Sequence, residues 1–148
     1  MTIRLATHDD APAIGRLAEE AGLFPADMIE EVMEPALSGA EDRWLVADTD
    51  GVLAGFAFAR PEEMADRVWN VLAIGVAETA RNMGHANRLL SAVEAIVDAR
   101  MMVIETTQLE AQSAARAFYE VSGYEQEGVV RDFYSEGEDK VVYRKVMA

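Results

Sequence analysis

Leu72-Ala73-Ile74-Gly75-Val76, followed shortly by Arg81-Asn82-Met83-Gly84-His85-Ala86, decides how this chain is read. The first segment ends a long apolar run, Val68 to Val76, whose length and β-branched content predict a strand. Gly75 interrupts it, and an isolated glycine in a strand marks a bulge or a close backbone approach. The second segment opens a helix predicted from about His85 to Arg100, with an apolar stripe at Ala86, Leu89, Leu90, Val93, Ile96 and Val97. A helix N-terminus presents unpaired N–H groups and a favourable dipole. Small residues at Gly84 and Ala86 would admit a diphosphate, and Arg81 adds a cation. The same residues would also serve an ordinary strand-to-helix connection.

Working outward, Ile3 to Ala6 reads as a first strand. Asp9 or Asp10 caps a helix with Pro12 in its first turn and Ile14, Leu17, Ala18 and Ala21 at helical spacing, ended by Gly22. A second helix is predicted from Pro25 towards Leu37. Arg43 to Asp48 and Val52 to Arg60 then form a hairpin around Thr49-Asp50-Gly51. Beyond the central helix come a strand at Met102 to Thr106, a helix from about Ser113 to Ser122, and strands near Glu125 to Phe133 and Lys140 to Val146. Apolar segments alternate with turn signals from end to end, without repeat or linker, which predicts one α/β domain over residues 1–148.

Composition removes several classes. The chain has 148 residues, enough for a buried core. No apolar run approaches the ~20 residues needed to span a bilayer, and the first residues lack the apolar core of a secretory signal, so a soluble, cytoplasmic protein with no membrane partner is expected. There is no cysteine, hence no thiolate nucleophile and no thiolate metal site. Only two histidines are present, which disfavours an imidazole-rich metal centre. A net charge of −14 without clustered Lys and Arg argues against nucleic acid. The excess carboxylate provides solubility or steers a cationic substrate. No G-x-S-x-G elbow, P-loop or dinucleotide fingerprint occurs.

Arg81, Gly84 and Ala86 stand at the spacing of the acyl-CoA pyrophosphate loop of the GNAT superfamily, which the chain resembles. Leu72 to Val76 is similar to that family's bulged fourth strand. Ala115-Arg116-Ala117-Phe118-Tyr119-Glu120-Val121-Ser122-Gly123-Tyr124 is similar to its second signature. Gln112 departs from the asparagine often found seven residues before the helix tyrosine, keeping the amide but changing its reach. The resemblance covers nearly the whole chain. It implies a mixed α/β (α+β), mostly antiparallel sheet of six to seven strands flanked by about four helices, with a bulged fourth strand and a V-shaped cleft.

It further implies an acetyl-CoA-dependent N-acetyltransferase, with acetyl-CoA as co-substrate and no metal. Ile74, Gly75, Val76, Arg81, Asn82, Met83, Gly84, His85, Ala86, Gln112 and Tyr119 would contact the coenzyme. His85 reads as a variable loop position offering a backbone N–H. The acceptor would be a small-molecule amine or a protein N-terminus, and the resemblance leaves room for a homodimer.

Direct transfer needs a base for the amine, a donor for the oxyanion and a proton for the departing thiolate. A backbone N–H near Gly75 or Val76 is the oxyanion candidate. Tyr119, read as lying beside an apolar stripe of Ala114, Ala117, Phe118 and Val121, is the acid candidate. Glu105 is the base candidate, ahead of Asp132, Tyr134, Glu78 or solvent. An acyl-CoA-binding or protein-interaction module without catalysis is the alternative, and it would need neither acid nor base.

Overall fold

The computed structural model describes residues 1–147. Strands β1 (Thr2–Leu5), β2 (Arg43–Thr49), β3 (Val52–Pro61), β4 (Val68–Val76), β5 (Met101–Thr107), β6 (Glu125–Ser135) and β7 (Glu138–Val146) join helices α1 (Ala11–Glu20), α2 (Ile29–Leu37), α3 (His85–Ile96) and α4 (Ser113–Val121). The strands form a seven-stranded sheet in the order β1-β2-β3-β4-β5-β7-β6. β4 and β5 run parallel, whereas β1/β2, β2/β3, β5/β7 and β6/β7 are antiparallel. This is the mixed α/β architecture expected from the sequence. The chain forms two compact units: Met1–Pro61 with Leu72–Asp98, and Glu62–Val71 with the chain from Ala99.

In the first unit, β2 and β3 are covered on both faces, which is why their sequences are almost wholly apolar instead of alternating. Trp44, Val46, Phe56 and Phe58 pack with Ile14, Leu17 and Ala18 of α1 and Ile29 and Met33 of α2. Trp44 stacks on Phe58 at a centroid separation of 4.0 Å, and Phe24 meets Phe56 edge-on at 6.5 Å. α3 contributes the buried Leu89, Leu90 and Val93. The entry to α1 is fixed by charge. Arg4 donates from both terminal nitrogens to Asp10, at 2.8 and 2.9 Å, and from Nε to Asp48 at 3.1 Å. These hydrogen bonds from Arg4 are the main reason the Asp10 carboxyl is held below its ordinary value.

The second unit buries Met102 and Ile104 of β5 with Val141 and Tyr143 of β7, the period-2 pattern of half-covered strands. α3 ends at Ile96, earlier than the Arg100 expected from its periodicity. Val97 takes an extended conformation (φ −92°, ψ 139°) and is itself buried, so the apolar stripe continues after the helix has stopped. Burial corrects the stripe read for α4. Ala114, Ala117 and Val121 are exposed, whereas Ala115, Phe118, Tyr119 and Ser122 are partly covered at i, i+3, i+4 and i+7. Tyr119 therefore belongs to the covered face of α4.

Gly75 has a steric reason to be glycine. A Cβ there would lie 2.6 Å from Cε1 of Phe56, a ring that is fully buried. Gly75→Ala should therefore destabilise the protein by about 1–3 kcal/mol, through overpacking. Combining it with Phe56→Leu should cost less than the two single changes added together, as read by urea denaturation. Strict additivity would show that Phe56 is not what excludes a side chain at position 75.

Candidate active site

The start of α3 is built by backbone conformation. Asn82 (φ 63°) and Gly84 (φ 80°) both take left-handed conformations, and Arg81 between the preceding turn and Asn82 is extended. Gly84 is the N-cap residue, no side chain caps the helix, and no acidic residue occupies its first turn. The first N–H groups of α3 are therefore without the side-chain acceptors that usually satisfy them. Arg81 to Gly84 are exposed. A Cβ at Gly84 would meet only the guanidinium of Arg88, at 3.6 Å.

His85 opens α3, and its Nδ1 is buried without a hydrogen-bond partner among the described residues. Neither Arg81 nor Arg88 has an ion-pair partner among the described residues, although the chain carries 27 acidic side chains. Two cations and a bare helix start thus coincide, which suits a polyanion such as a diphosphate. Sequence reading found Arg81 but missed Arg88. Its position four residues after Gly84, on the same helical face, was the available signal.

Ile74, Gly75 and Val76 end β4 in the same unit as this loop. Gly75 is buried, and Ile74 and Val76 are partly exposed. Glu78, a reserve base candidate, is exposed, and its N–H donates to Glu20 Oε1 at 2.8 Å.

Glu105, Gln112 and Tyr119 all belong to the second unit. Gln112 is the N-cap residue of α4, and its side chain makes no capping bond. The turn before it is tied down by Arg116, which donates to the carbonyls of Thr107 and Leu109 at 2.7 and 2.8 Å. The Tyr119 ring lies 6.0 Å from that of Tyr143 and 5.6 Å from that of Phe118. Burial, and then proximity to Tyr143, pushes the Tyr119 phenol up to about 12. It keeps its proton throughout the physiological range.

Glu105 is not a free carboxylate: Lys140 Nζ lies 3.0 Å from its Oε2. Tyr134 is raised by burial and then by the charges of Glu105 and Glu138. Asp132 is engaged in the β6–β7 turn, its Oδ1 accepting from the Gly137 N–H at 2.8 Å. Lys140 was not singled out from sequence, because only the β5/β7 register brings it to Glu105. Glu105 pairs with Val142, so Lys140 is its diagonal neighbour.

The family model for the Acetyltransferase (GNAT) family matches residues 11–124. A protein assigned to the GNAT acetyltransferases in Desulfovibrio desulfuricans superposes with a TM-score of 0.92 at 29% identity, over 99% of each chain. An aminoglycoside 6'-N-acetyltransferase solved with coenzyme A gives 0.82 at 19% identity, over 99% of this chain and 97% of that one. The ribosomal-protein-alanine N-acetyltransferase of Brucella melitensis gives 0.78 at 22% identity, over 99% and 100%. The last two likenesses are of fold. No curated protein matches the chain in sequence.

The elevated Tyr119 phenol has a measurable consequence. Its folded value of about 12 lies above the ordinary 10.0, so its contribution to stability is intact below pH 10 and is lost as pH rises through 12. Tyr134 and Tyr143 are also raised, so spectrophotometric titration of the folded protein should show several late-ionising tyrosines, of which Tyr119→Phe removes the one pushed up to about 12. An unchanged late-titrating fraction in that variant would place the elevated phenol elsewhere.

Proposed function

The chain belongs to the GNAT acetyltransferase family, and from that premise we propose that it moves an acetyl group from acetyl-CoA to a primary amine by direct attack. The observation that carries this reading is the uncapped start of α3 between two unpaired arginines in a protein of net charge −14. Acetyl-CoA, when bound, supplies the acetyl group as an activated thioester.

The N–H groups from Arg81 to Ala86 would hold the pyrophosphate, with Asn82 and Gly84 turning the backbone and Arg81 and Arg88 adding charge. Ile74, Gly75 and Val76 would align the pantetheine arm, one N–H near Gly75 facing the thioester oxygen. Gln112 would hydrogen-bond the arm through its amide. Glu105 would take the proton of the attacking amine, directly or through water.

Tyr119 would act at the departing sulfur. A phenol of pKa about 12 is a weaker acid than a thiol of about 8.5, so full proton transfer to the thiolate is uphill. Its assignment here is a hydrogen bond donated to the sulfur as charge develops, which stabilises the transition state without requiring the phenol to ionise. The acceptor, a small polyamine-like molecule or a protein N-terminus, must arrive cationic at neutral pH and give up a proton before it can attack.

Gly84→Asp tests the placement, with Gly84→Asn as control. Both accept the left-handed backbone better than most residues, but only Asp adds charge. Calorimetry should show coenzyme A binding weakened at least tenfold in Gly84→Asp relative to Gly84→Asn, and equal affinities would remove the pyrophosphate from this loop. Tyr119→Phe should lower kcat by about 10²-fold in thiol release from acetyl-CoA while leaving coenzyme affinity near wild type. Loss of affinity with kcat intact would make the tyrosine a packing residue.

A further inference from the structure

The β6 strand leaves its ladder where its exposed aromatics stand. Val130 pairs with Lys140 and Ser135 with Glu138, so residues 131–134 bow outward between those two pairs. Asp132 takes a left-handed conformation (φ 56°) at the centre of the bow. The excursion is held by hydrogen bonds. Gly137 N–H donates to Asp132 Oδ1 at 2.8 Å, and Asp132 N–H donates to Asp139 Oδ1 at 3.0 Å. Gln108 closes the arrangement from the end of β5, donating to the Gly137 carbonyl at 2.8 Å and accepting from the Asp139 N–H at 2.6 Å.

The bow fixes Phe133 and Tyr134, which remain 53% and 45% exposed. Under Phe133 lies a cation. Lys140 Nζ is 4.1 Å from the ring centroid and 3.0 Å from Glu105 Oε2, and its side chain is only 15% exposed. The Tyr134 ring meets that of Phe133 edge-on, at a centroid separation of 5.1 Å. One carboxylate and one aromatic face therefore hold a primary ammonium on an unbranched alkyl chain.

A cross-strand ion pair alone would not need an aromatic ring held over it by a hydrogen-bonded bow. We propose that Glu105 and Phe133, its ring braced by Tyr134, form the ammonium-recognition site for the acceptor, occupied in the free protein by Lys140 as a tethered stand-in. The substrate class is an unbranched primary alkylammonium, such as a polyamine end or a lysine-like side chain, because that is the group the site already holds. The acceptor enters by displacing Lys140, and Glu105 is thereby freed to face it. This rests on the reading of Glu105 as the base.

The test is binding, in the full chain without coenzyme, with 1,5-diaminopentane as probe. Lys140→Met removes the competing ammonium, and Lys140→Gln serves as a second variant should the first fold poorly. Either should bind the probe roughly tenfold more tightly than wild type in calorimetry, the scale of one sheltered ion pair plus one cation–π contact. Adding Phe133→Leu or Glu105→Gln should abolish the gain. Alaninamide, whose amine sits on a branched carbon, should gain less than threefold.

No gain in either Lys140 variant, or a gain that survives both second changes, would overturn the proposal. An equal gain for alaninamide would overturn the substrate class. Thiol release by wild type and Glu105→Gln separates the two readings. A probe gain with release indifferent to Glu105→Gln leaves the ammonium site standing and removes the base. Slowed release in Glu105→Gln with no probe gain does the reverse.

Discussion

The Phe56 ring stands where a side chain at Gly75 would be. That contact ties the aromatic core of the first unit to the last residues of β4, because the ring is also stacked near Trp44 and met edge-on by Phe24. A core packed at crystal-like density transmits such a constraint with little slack. Gly75 is thus fixed by its neighbours before any ligand is considered. A strand pinned by a fully buried phenylalanine holds its backbone groups in place without further reorganisation.

Charge is distributed with a comparable economy. Arg4, Arg60, Arg67, Arg100, Lys140 and Arg144 all lie against carboxylates. Among the described residues Arg81 and Arg88, like Arg16, Arg116 and Arg131, form no ion pair, although carboxylates outnumber Lys and Arg by 27 to 13. Most of these pairs are exposed and contribute little to stability individually. Arg81 and Arg88 differ from the other arginines without an ion pair in flanking a helix start, whose dipole adds to their charge.

Much of the fold was legible because its signals are local. Pro12 and Gly22 bound α1, Val68 to Val76 is β4 as read, and Gly84 sits at the α3 cap where the loop motif put it. What sequence could not give depends on which face meets which neighbour. Of the apolar residues Ala114, Ala117, Phe118 and Val121 on α4, only Phe118 is partly covered, because the helix turns its larger rings, Phe118 and Tyr119, inward. The end of α3 is not marked in the apolar pattern, because Val97 is extended yet buried like the helical residues before it. The pairing of Glu105 with Lys140 is set by strand register across 35 residues of chain, a distance over which local pattern is silent.

The bare start of α3 also makes the helix a thermodynamic sensor. A helix lacking its cap is less stable than a capped one by roughly 0.5–2 kcal/mol, and α3 carries Leu89, Leu90 and Val93 of the core, so the deficit is felt by the whole first unit. A polyanion seated there acts as the missing cap. By mass action, a ligand at a hundred times its Kd stabilises the native state by about 2.7 kcal/mol. In a protein of this size that corresponds to a rise in Tm of roughly 5–10 °C. The fraction of the chain unfolded at any moment would then depend on how often a polyanion occupies that helix start.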